Sequence, residues 1–354
     1  MDYGINIATS SDSWRVVQRA EELGYSHAWF YDTQLLSADV FVAMAAAAMK
    51  TSRIRLGTGV LIPSNRIPAV TANALASLNK LAPGRIDFGV STGFTARRSM
   101  GLPAIKLAEM RDHIRVVQGL LAGETVEWET EGASRKIRFL NPDIGQINIE
   151  DPIPTHISAL GPRGRKLTAE LGANWLNTMR GVDDSLAGLE AMKQAWRDAG
   201  RPQDTLYSTA IAGGCVLAEG ESADSPRVKA QAGPHASMIF HNLAEAAELG
   251  SIGYPVPPPL QAQFDAYCEI YKSYEPADAR YLQNHRGHLM FLRPEEEANI
   301  SGDMIRMLSF TATAPELREG VRALKSAGYS QFAPHIRYGH DSMLEDWAEV
   351  FNGV

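Results

Sequence analysis

The 354-residue chain contains only two cysteines, Cys215 and Cys268. They stand alone, so neither a disulfide framework nor a paired-thiolate metal site can be built from them. A basic excess is also missing: 34 Lys and Arg face 41 Asp and Glu, a net charge of −7, which argues against a nucleic-acid partner. Apolar runs such as residues 40–49 fall well short of the roughly 20 residues that span a bilayer, so no membrane association is expected. Met1-Asp2-Tyr3-Gly4-Ile5 lacks the basic start and apolar stretch of a signal peptide, and a cytoplasmic location is the expectation.

Familiar catalytic signatures are equally scarce. None of the nine histidines falls in a His-x-x-x-His or zincin pattern, so no metal site is expected. No serine has the Gly-x-Ser-x-Gly setting of a hydrolase nucleophile. Glu127 and Glu129 alternate along a solvated strand, which disfavours a glycosidase pair. No Gly-x-Gly-x-x-Gly follows the first strand, where a dinucleotide-binding sheet carries it.

What the chain does have is a regular alternation. Short apolar strands are expected at 3–7, 27–31, 54–62, 86–91, 155–160, 174–178, 206–217 and 331–336. Helices are expected between them, the first capped by Ser11 or Asp12, others at 38–49, 68–81, 107–121, 163–171, 185–199 and 315–327. Three more helices are expected at 235–249, 259–274 and 276–284. Parallel strands need crossovers of this length, so the pattern gives either a doubly wound sheet or a closed barrel. Eight strands without the dinucleotide fingerprint favour an α/β (β/α)8 TIM barrel: one domain over 1–354, with insertions after strand four (about 124–150) and between strands seven and eight (218–310).

A barrel's reactive groups lie at the C-terminal ends of its strands. There the chain carries Tyr31-Asp32-Thr33, Gly57-Thr58-Gly59-Val60, Ser91-Thr92-Gly93-Phe94-Thr95 and Ser158-Ala159-Leu160-Gly161-Pro162-Arg163-Gly164. Gly57 and Gly59 serve close packing or a bulge on a plain reading. Gly161 to Gly164 read either as a turn or as a helix start whose free N–H groups attract an anion, Pro162 contributing none. Asp32 most simply caps a helix or pairs with a base.

In order and spacing these motifs, with Arg55-Leu56 before Gly57, Leu78 to Val90, and Thr313-Ala314-Pro315-Glu316-Leu317 near the end, resemble the luciferase-like superfamily of flavin- and deazaflavin-dependent oxidoreductases, over nearly the whole chain. The resemblance implies FMN or the deazaflavin coenzyme F-420 bound at the barrel mouth. It assigns cofactor contacts to Thr58, Gly59, Val60, Thr92, Gly93, Ala159, Gly161, Pro162, Arg163 and Gly164, with a non-prolyl cis peptide at Gly59–Val60 behind the ring and the phosphate at Gly161. Asp32, Phe94, His241 and His288 are the candidate catalytic residues.

Two departures from the resemblance matter. Thr33 stands where deazaflavin-using relatives carry a His, and Phe94 where hydride-transferring relatives often carry an acid. The first expectation is therefore a two-component monooxygenase. It would take reduced FMN from a separate flavin reductase and use O2 to oxygenate a small organic substrate, with Phe94, Trp29 and Phe30 keeping the pocket dry. The alternatives are hydride transfer with coenzyme F-420 and a non-catalytic flavin-binding relative. A homodimer through helices 38–49 and 68–81 is also expected.

Overall fold

The structure is a computed structural model that describes residues 1–248 and 255–354. Eight parallel strands form the barrel: β1 (Asp2–Ile7), β2 (His27–Phe30), β3 (Arg55–Thr58), β4 (Ile86–Val90), β5 (Thr155–Ser158), β6 (Asn174–Thr178), β7 (Ser208–Ala212) and β8 (Gln331–Ile336). Each strand pairs with the next, and β8 closes on β1 with Asp2 opposite Gln331 and Ile7 opposite Ile336. The expected TIM barrel is the observed fold.

Strand alternation divides the side chains between two cores. Ala28 and Phe30 of β2 point outward and join the large core between barrel and helices. Trp29 points inward and is fully buried with Leu176, Ile211 and Ala333, and Val60 packs on the group. Its indole N–H donates to Gln331 Oε1 at 2.8 Å, linking β2 to β8 across the interior. The glycines of β3 make room for it, because a Cβ at Gly57 would lie 2.5 Å from the Trp29 ring and one at Gly59 2.7 Å from its Cβ. Trp29 thus fills the barrel interior, and Phe30 sits behind the sheet. Neither lines a dry pocket at the mouth as expected.

Several elements differ from the sequence reading. The ladder of β3 stops at Thr58 and Leu61 rejoins β4 through a bridge to Val90, while the Gly59–Val60 peptide between them is cis, as expected. The strand expected over 206–217 is interrupted at Gly213-Gly214, where the backbone of Phe310 fills the space beside Gly214. Its remnant, Val216–Leu217, pairs with Ala312–Thr313 and brackets the second insertion. The helix expected from 235 begins nine residues earlier and runs Pro226–Glu248 through Pro234. Proline reads as a breaker in sequence, yet here the packing of Val228, Ala232, Ala236 and Phe240 in an apolar cluster holds the helix on both sides of it. Residue 249 of that expected helix lies outside the described residues. The helix expected at 276–284 shrinks to Tyr281–Asn284, and the first helix is capped at Ser13.

The insertion after β4 carries the Leu107–Leu121 helix and an antiparallel hairpin, Val126–Thr130 with Ala133–Ile137, as the alternation there suggests. The insertion after β7 builds its own apolar cluster, in which Val228, Ala232, Ala236 and Phe240 of the long helix meet Tyr267, Tyr271 and Met304. That cluster holds the long helix against the rest of the insertion, and the same helix reaches the end of β8 through Gln231, whose carbonyl accepts from Arg337. No helix among the described residues is long and apolar enough to cross a membrane.

Candidate functional site

The β2–β3 side of the mouth is rigid. Asp32 is 4% exposed and its carboxylate accepts from both Arg66 Nη1 (3.0 Å) and the Ile62 N–H (3.1 Å). Its oxygens tie the β2 end to the loop after β3, the pairing role rather than a reactive one. Thr58 is also committed, donating through its hydroxyl to the Gly89 carbonyl at 2.6 Å. Val60 follows the cis bond and backs onto Trp29 from the mouth side.

At the end of β4, Gly93 adopts a left-handed conformation (φ 81°) and starts the short helix Phe94–Arg98, while the Thr92 carbonyl receives the Ile105 N–H. Phe94 is 44% exposed, with the Arg98 guanidinium 3.8 Å over its ring. It is a cation-covered surface aromatic and does not seal a cavity.

Gly161 caps the Pro162–Leu171 helix with no side-chain hydrogen bond, Pro162 occupying the first turn. The opening N–H groups of a helix have no partner within it, and they face anions favourably. A Cβ on Gly161 would meet nothing within 4 Å, so the approach is open. Arg163 is exposed beside it, Gly164 packs against Ala159, and the Ala159 carbonyl is held by the Trp175 indole at 2.7 Å. The backbone of Gly161, Arg163 and Gly164 therefore fits a phosphate, and the other residues of that motif shape the turn.

Above the mouth the two predicted histidines meet. His241, on the long helix, lies with its Nε2 2.5 Å from Glu296 Oε1 and 2.9 Å from Ser237 Oγ. Its Nδ1 lies 3.3 Å from Nδ1 of His288, whose Nε2 is 3.2 Å from Thr95 Oγ1 at the β4 end. Valence orders the protons. With Glu296 ionised, His241 Nε2–H donates to it, so His241 Nδ1 accepts from His288 Nδ1–H. His288 Nε2 is then left to accept from the Thr95 hydroxyl. The result is a relay, Thr95–His288–His241–Glu296, that draws a proton inward from the mouth.

The electrostatics support these states. Burial alone would raise the Glu296 pKa, but hydrogen bonds from His241 and Arg293, with the charge of Arg293, outweigh it and hold it low. Burial pushes His288 well below its ordinary value, with neighbouring His285 and His241 adding to the effect, so it is neutral, with one ring nitrogen free to accept. A flanking group, Glu245 with His285 (3.1 Å) and Arg98 (3.3 Å), ties the long helix to the residues after β4 and to the rest of the insertion. Among the described residues no group of histidines, cysteines and acids has a metal-holding arrangement. A cavity of about 300 Å³ opens near the ends of β6 and β7, lined in part by Arg306, Phe310 and Glu316, and meets the barrel at Gly213.

Sequence reasoning found His241 and His288 but missed Thr95, Glu296 and the residues at the end of β8. One signal was available: His335 and Arg337 are two apart at a strand's C-terminal end, where inward positions reach the mouth.

The sequence model described as luciferase-like monooxygenase matches residues 8–331. The chain belongs to that family. It is 28% identical over 218 residues to the 5,10-methylenetetrahydromethanopterin reductase of Archaeoglobus fulgidus, covering 60% of this chain and 63% of that one. It is 34% identical over 143 residues to the F-420-dependent glucose-6-phosphate dehydrogenase of Beutenbergia cavernae, covering 38% and 40%. The match thus spans about three-fifths of the first relative's length and two-fifths of the second's. Among solved structures of the fold, the coenzyme F-420-dependent tetrahydromethanopterin reductase of Methanopyrus kandleri superposes with a TM-score of 0.70 at 18% identity, covering 98% of this chain and 97% of that one. A type II Baeyer-Villiger monooxygenase component of Pseudomonas putida in complex with FMN superposes at 0.62 and 12% identity, covering 99% and 95%. The relatives and fold neighbours thus include both F-420-dependent and FMN-binding proteins.

Proposed function

We propose that this chain is an oxidoreductase that transfers hydride between coenzyme F-420 and a small alcohol or its carbonyl partner. The observation that carries the reading is the Thr95–His288–His241–Glu296 relay at the barrel mouth. Oxidising an alcohol removes hydride from carbon and a proton from oxygen, and the proton needs a base within reach. Thr95 Oγ1 and His288 Nε2 offer that base, and Glu296 stabilises the positive charge that the two histidines would share. In the reverse direction the same relay returns the proton to a carbonyl oxygen. This supplies the proton donor whose absence after Asp32 and Gly93 disfavours hydride transfer in the sequence reading.

The bound deazaflavin would supply the hydride chemistry. Gly161, Arg163 and Gly164 would hold its phosphate, and Val60, supported by Trp29, would back its ring. His288→Ala should lower kcat by about 10²–10⁴-fold, the usual worth of a positioned acid or base, with coenzyme affinity unchanged by fluorescence titration.

The second reading, a monooxygenase using reduced FMN from a separate reductase and O2, is favoured by Thr33 and Phe94 standing where hydride-transferring relatives carry protonatable groups. Stopped-flow mixing of the protein with reduced FMN and O2 separates the two. A long-lived flavin absorbance, with no binding of F-420, would replace the first reading by the second.

A further inference from the structure

Arg337 follows the C-terminal end of β8 and is 1% exposed. Its Nε donates to the Gln231 carbonyl of the long helix at 2.9 Å, and its Nη2 has no partner. No carboxylate among the described residues pairs with it. An arginine so deeply buried normally has a counter-ion, because an unpaired buried charge is strongly unfavourable. Nearby Tyr31 does not serve, since burial pushes its phenol above the usual range and keeps it neutral.

The groups around Arg337 are also unsatisfied. His335, two residues earlier on the inward face of β8, lies with Nδ1 2.5 Å from the Tyr31 hydroxyl, while its Nε2 is buried and unpartnered. A neutral phenol donates to Nδ1, which places the His335 proton on Nε2 as a free donor. His235, one turn along the helix from Gln231, has its ring 5.7 Å from that of His335 and an unpartnered Nδ1. That nitrogen stands against Gly213, where a Cβ would be 2.2 Å from it. Two donors of β8, Arg337 Nη2 and His335 Nε2–H, are thus gathered beside an unpartnered nitrogen of the long helix with nothing to receive them. A cation would be repelled there by Arg337.

We propose that Arg337, His335 and Tyr31, with His235 beside them, form a recognition site for a carboxylate on the substrate. The guanidinium fork matches a planar carboxylate, and two or three free donors suit its two oxygens better than the three of a phosphate. The site is at β8, three strands round the barrel from the Gly161 turn at the end of β5, so it is separate from the phosphate cradle. It lies near His288, whose basicity Arg337 and His235 help to lower. The inference deepens the oxidoreductase reading by naming the substrate as a small organic acid carrying an oxidisable or reducible carbon.

The test is calorimetric titration of the full chain with benzoate, acetate, the neutral benzamide and acetamide, and inorganic phosphate, with F-420 and FMN titrated in parallel. The carboxylates should bind, the amides should bind at least tenfold more weakly, and Arg337→Leu should weaken benzoate at least tenfold with cofactor affinity intact. Arg337→Lys, which keeps the charge but loses the fork, should fall between. Arg337→Leu should also melt no lower than the wild type in the absence of ligand, since it removes an unpaired buried charge. Equal binding of amide and carboxylate, preference for phosphate, absence of any binding, or loss of cofactor affinity in Arg337→Leu would each overturn the assignment. Carboxylate binding lost in Arg337→Leu, in a protein that takes neither cofactor, would leave this site standing and remove the oxidoreductase reading.

Discussion

Asp32 is the residue whose position promises chemistry and whose contacts assign it to structure. It ends a barrel strand on the reactive face, but Arg66 and the Ile62 N–H occupy its carboxylate. Replacing Asp32 by Ala leaves Arg66 with only the more exposed Asp39 as its carboxylate and strips the buried Ile62 N–H of its acceptor. Leaving such a buried donor unsatisfied costs about 1–3 kcal/mol, so the urea midpoint of Asp32→Ala should fall with no change in slope. His288→Ala should lower the midpoint as well, through the lost contact to His241, but its activity should collapse far beyond what that fall explains. The pair of variants separates a residue that holds the mouth together from one that works in it.

Among the elements, the Pro162–Leu171 helix gives the clearest forecast. Gly161→Val adds a side chain where nothing lies within 4 Å, so the fold should persist with an unchanged far-ultraviolet spectrum. The new methyls would stand in front of the free N–H groups, and cofactor affinity should drop at least tenfold by fluorescence titration. This turn was legible in sequence because it is local: a strand end, Gly-Pro, and a helical run. The same holds for the existence of all eight strands, whose apolar stretches are read within a dozen residues, though 54–62 and 206–217 were read too long. The histidine relay was legible only in part. His241 contacts a carboxylate 55 residues away and an imidazole 47 away, pairings set by how the insertion folds and not by any local pattern. Strand β3 was over-extended for a similar reason, since Gly59-Val60-Leu61-Ile62 is apolar enough for a strand but bends around Trp29.

At the scale of the whole molecule, buried titratable groups set the response to acid. Burial holds His27 and His113 at about 4 and His235 at about 3, all below the ordinary 6.5. As pH falls through 6.5 the unfolded chain takes up these protons before the folded one does, so stability drops from there toward pH 3–4. Asp87 and Glu296, both held at about 2, contribute stability that is present above about pH 4.5 and lost as pH falls toward 2. The melting temperature should therefore be level from pH 7 to 8 and decline below 6.5, steeply near pH 5, where three histidines give roughly 3–4 kcal/mol per pH unit. Calorimetry across a pH series checks this. The outer face of the helices Val40–Ala48 and Pro68–Leu81 also carries a statement about assembly. Val42 and Met49, two turns apart, are 61% and 68% exposed, and Val70 is 50% exposed. We propose that this face forms the homodimer, and Val42→Asp with Val70→Asp should convert it to a monomer by light scattering.

The hydrogen bond from Trp29 to Gln331 joins residues 302 positions apart, and it has a consequence for the order in which the chain can mature. During synthesis the first seven strands emerge without their closing neighbour, leaving β1 and β7 as open edges with unpaired backbone groups. Trp29 has no acceptor until the last strand leaves the ribosome. Its emission should report that final event, lagging behind the helical signal in a refolding experiment. A chain stopped before Gln331 should accumulate as insoluble protein, because it keeps its two adhesive edges.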